Sequence, residues 1–372
     1  MRQISLLEAS FVLLDRSQRD VVYYFPMNTI SAEKILKTFP QYIREIHGPH
    51  HTQFRLISAL ENIEPQSLVF ITHEKHLSTV VASAASVILV PASFKKENLS
   101  LEKTWLLSAQ PELAMRFIKN EFFLETPFRS QVLQAIHPSA QIDSSARLDE
   151  SVEVGPGAVI SAGVVIGPRS YIGANAVIER NAQIGSDSTI HPLVYLGHSC
   201  VVGNNCEIMP QSTIGSEGFG YAHDEKGQHH RIPHSGRVVL HDDVHIGASC
   251  TIDRGTIEDT VIGQGTRIDN QCHLAHNSVI GKNCLITAQF GMAGSSKIGN
   301  HFISGGKASV TGHVTITDNV QISGMSGVTK NIDQPGQYGG FPLQPLRDYL
   351  KTKAAMVKLH ELRKQIESLM KP

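Results

Sequence analysis

One of the nineteen histidines in the chain lies where it could act as a general base. His276 follows the aliphatic residue Leu274 by two positions, in the stretch Ile268-Asp-Asn-Gln-Cys-His-Leu-Ala-His-Asn277. Asp269 lies on the neighbouring six-residue unit, where its carboxylate could orient one imidazole nitrogen and leave the other free to take a proton. The pattern favours proton abstraction near neutral pH by His276.

These two residues belong to a six-residue repeat that runs through the middle of the chain. Its first part places an aliphatic residue at every sixth position: Ile136, Ile142, Leu148, Val154, Ile160, Ile166, Ile172, Ile178, Ile184, Ile190, Leu196, Val202, Ile208 and Ile214. Small residues often lie two positions before the aliphatic, and glycine often follows it, where we expect the chain to bend without a Cβ penalty. This period predicts a parallel β-helix, a prism in which three hexads form each coil.

The repeat has two interruptions. It stops at Ser216 and resumes at Leu240, and it later skips ten residues from Ile252 to Ile262 before continuing to Val328. The polar stretch 216–237 holds four histidines and two aromatic residues, so it is expected to protrude as a functional loop. Counting all hexads predicts roughly ten coils.

Three domains are expected: an N-terminal α/β domain at 1–133, the β-helix at 134–332 and a helical extension at 333–372. In the first domain we expect a hairpin within 1–28, a helix that Ser31 caps and that runs through Phe39, and another from Pro111 to about Phe123. In the extension an apolar seam at helical spacing predicts partner helices: Ala355, Leu359, Leu362, Ile366 and Leu369. The fold class is therefore mainly β.

Composition narrows the classes of partner. The net charge is −1, so no overall field favours nucleic acid or a membrane surface. No stretch reads as a leader or a membrane span, which makes a cytoplasmic protein the expectation. The five cysteines fall in the small-residue stripe, which favours buried free thiols over a metal site or disulfides: Cys200, Cys206, Cys250, Cys272 and Cys284.

Several short motifs resemble the UDP-3-O-acylglucosamine N-acyltransferase family. They cover the prism, the loop and the tail: Gly218-Phe-Gly-Tyr-Ala222, Ile252-Asp-Arg-Gly255, Ile268-Asp-Asn-Gln271, Ala275-His-Asn277, Met292-Ala-Gly-Ser295, Gly312-His313 and Leu343-Gln-Pro345. The resemblance is faint over residues 30–130 and absent from residues 1–28. It implies a left-handed β-helix and a homotrimer with active sites between subunits.

The resemblance also implies a reaction, that of lipid A synthesis in Gram-negative bacteria. The donor would be a 3-hydroxyacyl thioester on acyl carrier protein, and the acceptor would be the 2-amine of UDP-3-O-(3-hydroxyacyl)glucosamine. No cofactor is expected, since phosphopantetheine arrives on the carrier. His276 matches the family's base, Asp269 its partner, Gly294 the backbone N–H that holds the oxyanion, and His313 a second histidine that contacts substrate.

The family pattern changes in the N-terminal domain. The family binds uracil through an aromatic residue, an Asn and a Tyr spaced three apart, whereas this chain has Phe70, His73 and His76. Phe70 could stack on the base, and the two histidines replace the polar pair. The alternative is that Phe70 is a core residue of its strand.

The tail carries the one clearly basic patch. From Leu343 to the end, seven Lys or Arg stand against three Asp or Glu, a local charge of +4. Because acyl carrier proteins are acidic, we expect docking at Lys330, Arg347, Lys351 and Lys353. A solvated helix face is the alternative.

The end of the acyl tunnel is expected in the last coils. The family often closes it there with a bulky apolar residue, and this chain has Gly327, which would leave room for a longer acyl group. Alternatively, Gly327 serves a corner of the prism and Met325 closes the tunnel.

Three other functions remain open at this stage. A UDP-N-acetylglucosamine O-acyltransferase would share the prism and a catalytic histidine, but it normally lacks the N-terminal domain. A zinc carbonic anhydrase prism needs three histidines, and Asp318 stands where a third beside His276 and His313 would be expected. A purely structural β-helix is disfavoured by the candidate site residues.

Overall fold

The structure is a computed structural model that describes residues 29–123, 135–339 and 346–370, with the backbone alone at 346–349. The chain divides into two compact units, Met1–Pro127 and Phe128–Pro372. The hairpin that we predict within residues 1–28 lies outside the described part. The expected helical extension falls within the second unit.

The first unit contains a five-stranded sheet, a separate two-stranded sheet of β1 and β3, and helices. Its elements are β1 (Ile30–Ser31), α1 (Ala32–Thr38), β2 (Ile43–His47), β3 (Gln53–Phe54), β4 (Leu56–Ile57), β5 (Ser67–Phe70), α2 (Leu77–Ala82), β6 (Val87–Pro91), β7 (Thr104–Ser108) and α3 (Pro111–Phe122). The strand order is β2-β7-β6-β5-β4, with β2 antiparallel to β7 and the other pairs parallel. The Ser31 hydroxyl accepts a hydrogen bond from the Lys34 N–H at 3.1 Å and caps α1, as predicted.

The second unit is a parallel β-helix, as the repeat predicts. Its strands run in chain order: β8 (Gln141–Ile142), β9 (Arg147–Leu148), β10 (Glu153–Val154), β11 (Val159–Ile160), β12 (Val165–Ile166), β13 (Tyr171–Ile172), β14 (Val177–Ile178), β15 (Gln183–Ile184), β16 (Thr189–Ile190), β17 (Tyr195–Leu196), β18 (Val201–Val202), β19 (Glu207–Ile208), β20 (Thr213–Ser216), β21 (Tyr221–His223), β22 (His229–Arg231), β23 (Val238–Leu240), β24 (His245–Ile246), β25 (Thr251–Asp253), β26 (Thr260–Ile262), β27 (Arg267–Ile268), β28 (His273–Leu274), β29 (Val279–Ile280), β30 (Leu285–Ile286), β31 (Gly291–Met292), β32 (Lys297–Ile298), β33 (Ile303–Ser304), β34 (Ser309–Val310), β35 (Thr315–Ile316), β36 (Val320–Ile322), β37 (Gly327–Val328) and β38 (Gly336–Tyr338). The helix α4 (Leu346–Leu369) follows.

All of these strands except β21 and β22 stack into three parallel sheets, which we call faces A, B and C. Face A contains β8, β11, β14, β17, β20, β25, β28, β31, β34 and β37; face B runs from β9 to β35; face C runs from β10 to β38. Successive strands move from face A to B to C, so each coil crosses three corners. The A/B corner follows the face A strands, and the C/A corner follows the face C strands.

The aliphatic stripe fills the interior of the prism. The residues from Val154 to Ile322 at the six-residue period are buried almost completely, and all five cysteines are buried free thiols beside them. Each fully buried Val, Leu or Ile contributes about 1.5–3 kcal/mol relative to exposure. The repeat therefore supplies most of the apolar burial in this unit.

Gly155 and Gly167 follow the aliphatic stripe for a reason other than the one we expected, whereas Gly215 does adopt a positive φ of 84°. Gly155 and Gly167 do not adopt a positive φ. A Cβ at either position would lie 2.8 Å from the backbone of the next coil. Glycine is needed there because stacked coils approach closely, and the left-handed corner residues come two positions later, as at Arg169 with φ 58°.

The first interruption of the repeat forms an exposed hairpin. Strands β21 and β22 pair antiparallel, with Tyr221 opposite Arg231 and His223 opposite His229. Every residue of both strands is exposed. The predicted protruding segment is thus a β-hairpin.

Candidate active site

The A/B corner carries three of the predicted site residues. His276 follows β28, Gly294 follows β31 and His313 follows β34, so they lie on three successive coils. The Ser295 N–H donates to the His276 carbonyl at 2.9 Å, and the His313 N–H donates to the Gly294 carbonyl at 3.2 Å. The parallel stacking of the coils brings these residues together at one edge of the prism.

The imidazole of His276 lies against Gly294. A Cβ at Gly294 would be 2.6 Å from His276 Nε2 and 2.7 Å from Cε1, closer than any side chain tolerates. Among the described residues, the Gly294 N–H has no hydrogen-bond partner. A ring nitrogen and an unused backbone donor are therefore neighbours in this corner.

The other nitrogen of His276 is held by polar neighbours. Nδ1 lies 3.0 Å from Asn277 Oδ1 and 3.3 Å from Thr256 Oγ1. The ring is half-buried. These contacts orient the imidazole so that Nε2 faces Gly294.

Asp269 does not orient His276 within one chain. It follows β27 and lies at the C/A corner, with the whole of β28 between it and the A/B corner. Its exposed carboxylate accepts hydrogen bonds from the Asn270 N–H at 2.7 Å and the Ala288 N–H at 3.1 Å. The predicted pairing of Asp269 with His276 is therefore not made within this chain.

The carboxylate near His276 belongs to Asp253 instead. Asp253 ends β25, one coil before His276 on the same face, and is 7% exposed. It accepts a hydrogen bond from the Ser216 hydroxyl at 3.1 Å, and His273 Nε2 lies 3.8 Å away. Burial raises the pKa of Asp253, and the nearby imidazoles of His273 and His276 partly oppose this rise.

The residue pattern did not single out Asp253, although a signal was present. Asp253 immediately follows the core residue Ile252, at the position that Ala275 and Ala293 occupy in the next two coils. A carboxylate in a place where neighbouring coils carry alanine marks a local departure from the repeat.

A second histidine, His234, packs on His276 from the base of the hairpin. The ring centroids lie 5.2 Å apart at 73°, and His234 is 4% exposed. Its Nδ1 lies 2.9 Å from the Ile232 carbonyl, and among the described residues Nε2 has no partner. Cβ atoms at Gly218 and Gly220 would lie within 3.0 Å of the His234 ring, which explains the two glycines of the Gly218-Phe-Gly-Tyr-Ala222 motif.

The motif arginine is buried one coil before His276. Arg254 is 1% exposed; its Nε donates to the Gly215 carbonyl at 2.9 Å and its Nη2 to the His198 carbonyl at 2.8 Å. Burial lowers the pKa of His198, and the nearby positive charge of Arg254 lowers it further. His198 is thereby kept neutral beside the guanidinium, and the pair ties together the coils below the site.

The hairpin adds an apolar surface near this corner. A cavity of about 600 Å³ lies among Phe219, Tyr221, Ile232, His223 and His229. The two histidines place their Nδ1 atoms 2.7 Å apart, so one proton is shared between them.

The predicted nucleotide residues lie in the first unit, at the carboxyl end of β5. Phe70 is the last residue of that strand and is 39% exposed, so it is not the core residue of the alternative interpretation. His73 precedes a 3₁₀ turn at Glu74–His76, and His76 precedes α2. Ligands commonly bind at the carboxyl ends of parallel strands.

The remaining predicted residues lie toward the end of the chain. Lys330 follows β37 and is exposed, and Lys351 and Lys353 are exposed on α4; Arg347 lies on α4, where only the backbone is described. Gly327 lies in β37 on the outer side of face A. Its Cβ would meet only Ser309 Oγ, at 3.9 Å, so no corner requires glycine there, whereas Met325 is a left-handed corner residue with φ 60°.

The described residues show neither a metal-binding cluster nor a membrane-spanning helix. Across 29–123, 135–339 and 346–370, no three or more His, Cys, Asp or Glu side chains are grouped so that they could hold a metal ion. Asp318 accepts hydrogen bonds from the Asn300 backbone at 2.7 Å and side chain at 3.1 Å. No helix in these ranges is both long and apolar enough to cross a bilayer.

Comparison with known proteins gives consistent matches. The bacterial transferase hexapeptide family (six repeats) matches residues 136–180, 181–216 and 259–289. A UDP-3-O-acylglucosamine N-acyltransferase of Methylococcus capsulatus is 39% identical over 92% of this chain and 97% of its own length. One from Wolinella succinogenes is 42% identical over 83% of this chain and 92% of its own.

A crystal structure of a UDP-N-acetylglucosamine acyltransferase aligns less well. It covers 56% of this chain and 71% of its own, at 24% identity and a TM-score of 0.45. The sequence relatives, by contrast, extend over nearly the whole chain. On that evidence, the chain is an acyltransferase that belongs to the UDP-3-O-acylglucosamine N-acyltransferase family.

Proposed function

We propose that the chain transfers a 3-hydroxyacyl group from acyl carrier protein to the 2-amine of UDP-3-O-(3-hydroxyacyl)glucosamine, a step of lipid A synthesis. The names of the relatives support the acceptor and the reaction class. The observation that carries the proposal is His276 Nε2 beside the unused Gly294 N–H at the A/B corner. Acyl transfer to an amine needs such a base and such a donor.

The proposed reaction uses both groups in turn. The amine attacks the thioester carbonyl and forms the new C–N bond, while His276 Nε2 takes the proton that the amine must lose. The carbonyl oxygen becomes an oxyanion and accepts a hydrogen bond from the Gly294 N–H. The C–S bond then breaks, and the proton passes from His276 to the departing thiolate of phosphopantetheine.

The outer side of face A offers a path for the acyl chain. Gly291, Ser309 and Gly327 are stacked in successive strands beside the A/B corner, and a Cβ at Gly291 would meet nothing within 4 Å. Small side chains leave this surface uncovered. We therefore propose that the acyl chain runs from Gly294 toward Gly327.

Other partners of the reaction follow from the same proposal. Phe70, His73 and His76 would bind the uridine, and Lys330, Arg347, Lys351 and Lys353 would receive the carrier. We propose a homotrimer, because α4 exposes an apolar seam that partner helices would cover. In such an assembly Asp269 of one chain would approach His276 of another.

The decisive experiment is mass spectrometry of the products formed from the UDP-sugar and a mixture of 3-hydroxyacyl carrier proteins. We expect an N-acylated product from wild type, and a loss of about 10²–10⁴ in rate for His276→Ala with folding intact. Activity of that variant within about threefold of wild type would remove His276 from the base role. Exclusive acylation of a sugar hydroxyl, or stoichiometric zinc with hydration of carbon dioxide, would favour the alternative functions.

A further inference from the structure

The second interruption of the repeat forms a turn around the amide of Asn277. Ile262 follows Ile252 by ten positions instead of six, and the four extra residues fall within the turn at 255–259. The Thr256 N–H donates to Asn277 Oδ1 at 3.0 Å, and Asn277 Nδ2 donates to the Glu258 carbonyl at 3.2 Å. The insertion therefore supplies one donor and one acceptor to a single side chain.

These two bonds determine which way the Asn277 amide faces. A backbone N–H can only donate and a backbone carbonyl can only accept, so Oδ1 must face Thr256 and Nδ2 must face Glu258. The same Oδ1 lies 3.0 Å from His276 Nδ1. An amide oxygen cannot donate, so a hydrogen bond at this distance requires the proton on Nδ1.

We propose that Asn277, held by the 255–259 turn, is a positioning residue that selects the Nδ1–H tautomer of His276. This selection leaves the Nε2 lone pair free on the side of Gly294, where the proposed function needs a base. The inference rests on that function for its kinetic consequence, but not for the tautomer itself.

The tautomer matters because a base in the wrong tautomer has no lone pair at the reacting atom. Losing the group that orients a catalytic histidine can cost several powers of ten in rate. Asn277 is a neutral amide, so it orients the imidazolium without pairing it with a full charge. The proton on Nε2 can therefore pass on readily to the departing thiolate.

The backbone at Asn277 allows a clean test. Asn277 adopts φ 58°, a left-handed conformation that Gly accepts without strain and Ala does not. Asn277→Gly therefore removes the amide while keeping the corner. Asn283→Gly is the matched control, because Asn283 is a left-handed corner residue with φ 54° that follows β29, away from the A/B corner.

The experiment measures the tautomer of His276 by spectroscopy and the kcat and KM of the variants by separate kinetic assays. Nitrogen-15 spectra of the histidine-labelled full-length protein, with the His276 signals assigned from His276→Gln, report which nitrogen carries the proton. We expect the proton on Nδ1 in wild type and in Asn283→Gly. In Asn277→Gly we expect a growing Nε2–H population and kcat reduced about tenfold or more, with KM nearly unchanged.

A second variant tests the charge of the positioning group. Asn277→Asp keeps the acceptor for His276 but adds a negative charge that favours the imidazolium. We expect the acid limb of its kcat profile to move to higher pH, because the base must be neutral to act. An unmoved limb contradicts the proposal.

The results for Asn277→Gly distinguish tautomer selection by Asn277 from the proposed role of His276 as the base. An unchanged His276 tautomer in Asn277→Gly overturns the inference. A changed tautomer with unchanged kcat upholds tautomer selection and instead removes His276 from the base role of the proposed function.

Discussion

The orientation of the His276 imidazole, and the ring nitrogen that is free to accept a proton, depend on the groups around its two ring nitrogens. Asn277 and Thr256 hold Nδ1, and Gly294 leaves space for Nε2. The nearby carboxylate of Asp253 is buried and has a raised pKa, so it is a different kind of partner from the exposed Asp269.

Replacing Gly294 with alanine should displace the imidazole. The added Cβ would be 2.6 Å from His276 Nε2, so the ring must move by several tenths of an ångström or more. We expect kcat/KM to fall about tenfold or more with a small change in Tm. Gly312→Ala is the control, since its Cβ would meet the Gly294 carbonyl oxygen at 3.3 Å and no imidazole. Equal activity in both variants would show that the close packing of His276 is not required.

Replacing Asp253 with asparagine should stabilise the protein at neutral pH. Because burial raises the pKa of Asp253 above its ordinary 3.8, the folded state binds a proton more tightly than the unfolded state. Wild type therefore loses stability as the pH rises from that ordinary value through the folded pKa, and Asn does not. Thermal denaturation from about pH 4 to pH 8 should show a Tm advantage of Asp253→Asn that grows with pH.

Asp143 supplies a control in which the expected change in Tm at neutral pH has the opposite sign. Hydrogen bonds from the Ser145 hydroxyl and N–H lower the pKa of Asp143, so its stabilisation is present above the ordinary value and lost as the pH falls through the folded pKa. Asp143→Asn should lower Tm at neutral pH. A Tm for Asp253→Asn that is lower than wild type at neutral pH would mean that the ionised carboxylate is favoured in the folded state.

At the scale of elements, the stacked strands of face A decide what lies beside the site. The outward residues of β31, β34 and β37 are Gly291, Ser309 and Gly327, so the sheet is bare along the proposed acyl path. The inward residues of the same strands are buried aliphatic or Met side chains that hold the sheet flat against the core. Specificity can therefore change on the outer side without disturbing the interior.

Gly327→Met should shorten the preferred acyl group. The strand accepts a side chain there, since φ is not positive and the new Cβ meets only Ser309 Oγ at 3.9 Å. Each buried methylene is worth about 0.8 kcal/mol, so two carbons could shift the preference roughly tenfold.

Competition between donors of different chain length measures this preference. Wild type should favour the longer acyl group and Gly327→Met a shorter one. Thr315→Met, an exposed position on face B, should leave the preference unchanged. The same preference in Gly327→Met and wild type would place the end of the tunnel elsewhere.

At the scale of the whole molecule, the exposed seam of α4 raises the question of assembly. Leu359, Leu362 and Ile366 are 56%, 52% and 49% exposed on a helix of 24 residues. An apolar stripe at this spacing is stable in water when other helices cover it. The proposed partners are two further copies of the chain.

Light scattering should therefore give three times the chain mass of 40.7 kDa at micromolar concentration. Charged substitutions along the seam, Leu359→Glu with Leu362→Glu, should weaken that assembly. A monomer mass for wild type would rule out both the trimer and a site shared between chains.

Reversing the tail charges at Arg347, Lys351 and Lys353 should raise the apparent KM for the carrier-bound donor. The effect should be larger at low salt, because screening weakens attraction between exposed charges. A donor on free phosphopantetheine is the control, since it lacks the acidic carrier and its KM should stay the same. An unchanged KM for the carrier-bound donor at low salt would contradict docking on this patch.

The architecture of the β-helix could be predicted from the six-residue repeat alone. A six-residue period predicts, from neighbouring residues alone, which side chains point inward. The core from Val154 to Ile322 and the buried cysteines could therefore be predicted without knowledge of long-range contacts. The family motifs likewise pointed to His276 and Gly294, which the stacking of coils then places side by side.

The side chains that face each other at the A/B corner are set by the stacking of the coils, which no local sequence pattern predicts. Asp269 is closer to His276 in sequence than Asp253 is, yet β28 carries the chain across a full face between Asp269 and His276. His234 returns to the site through the hairpin, and Asn277 receives its two partners from an insertion whose path no period describes. Distance along a coil and distance between stacked coils are different quantities, and the chemistry of this corner depends on the second.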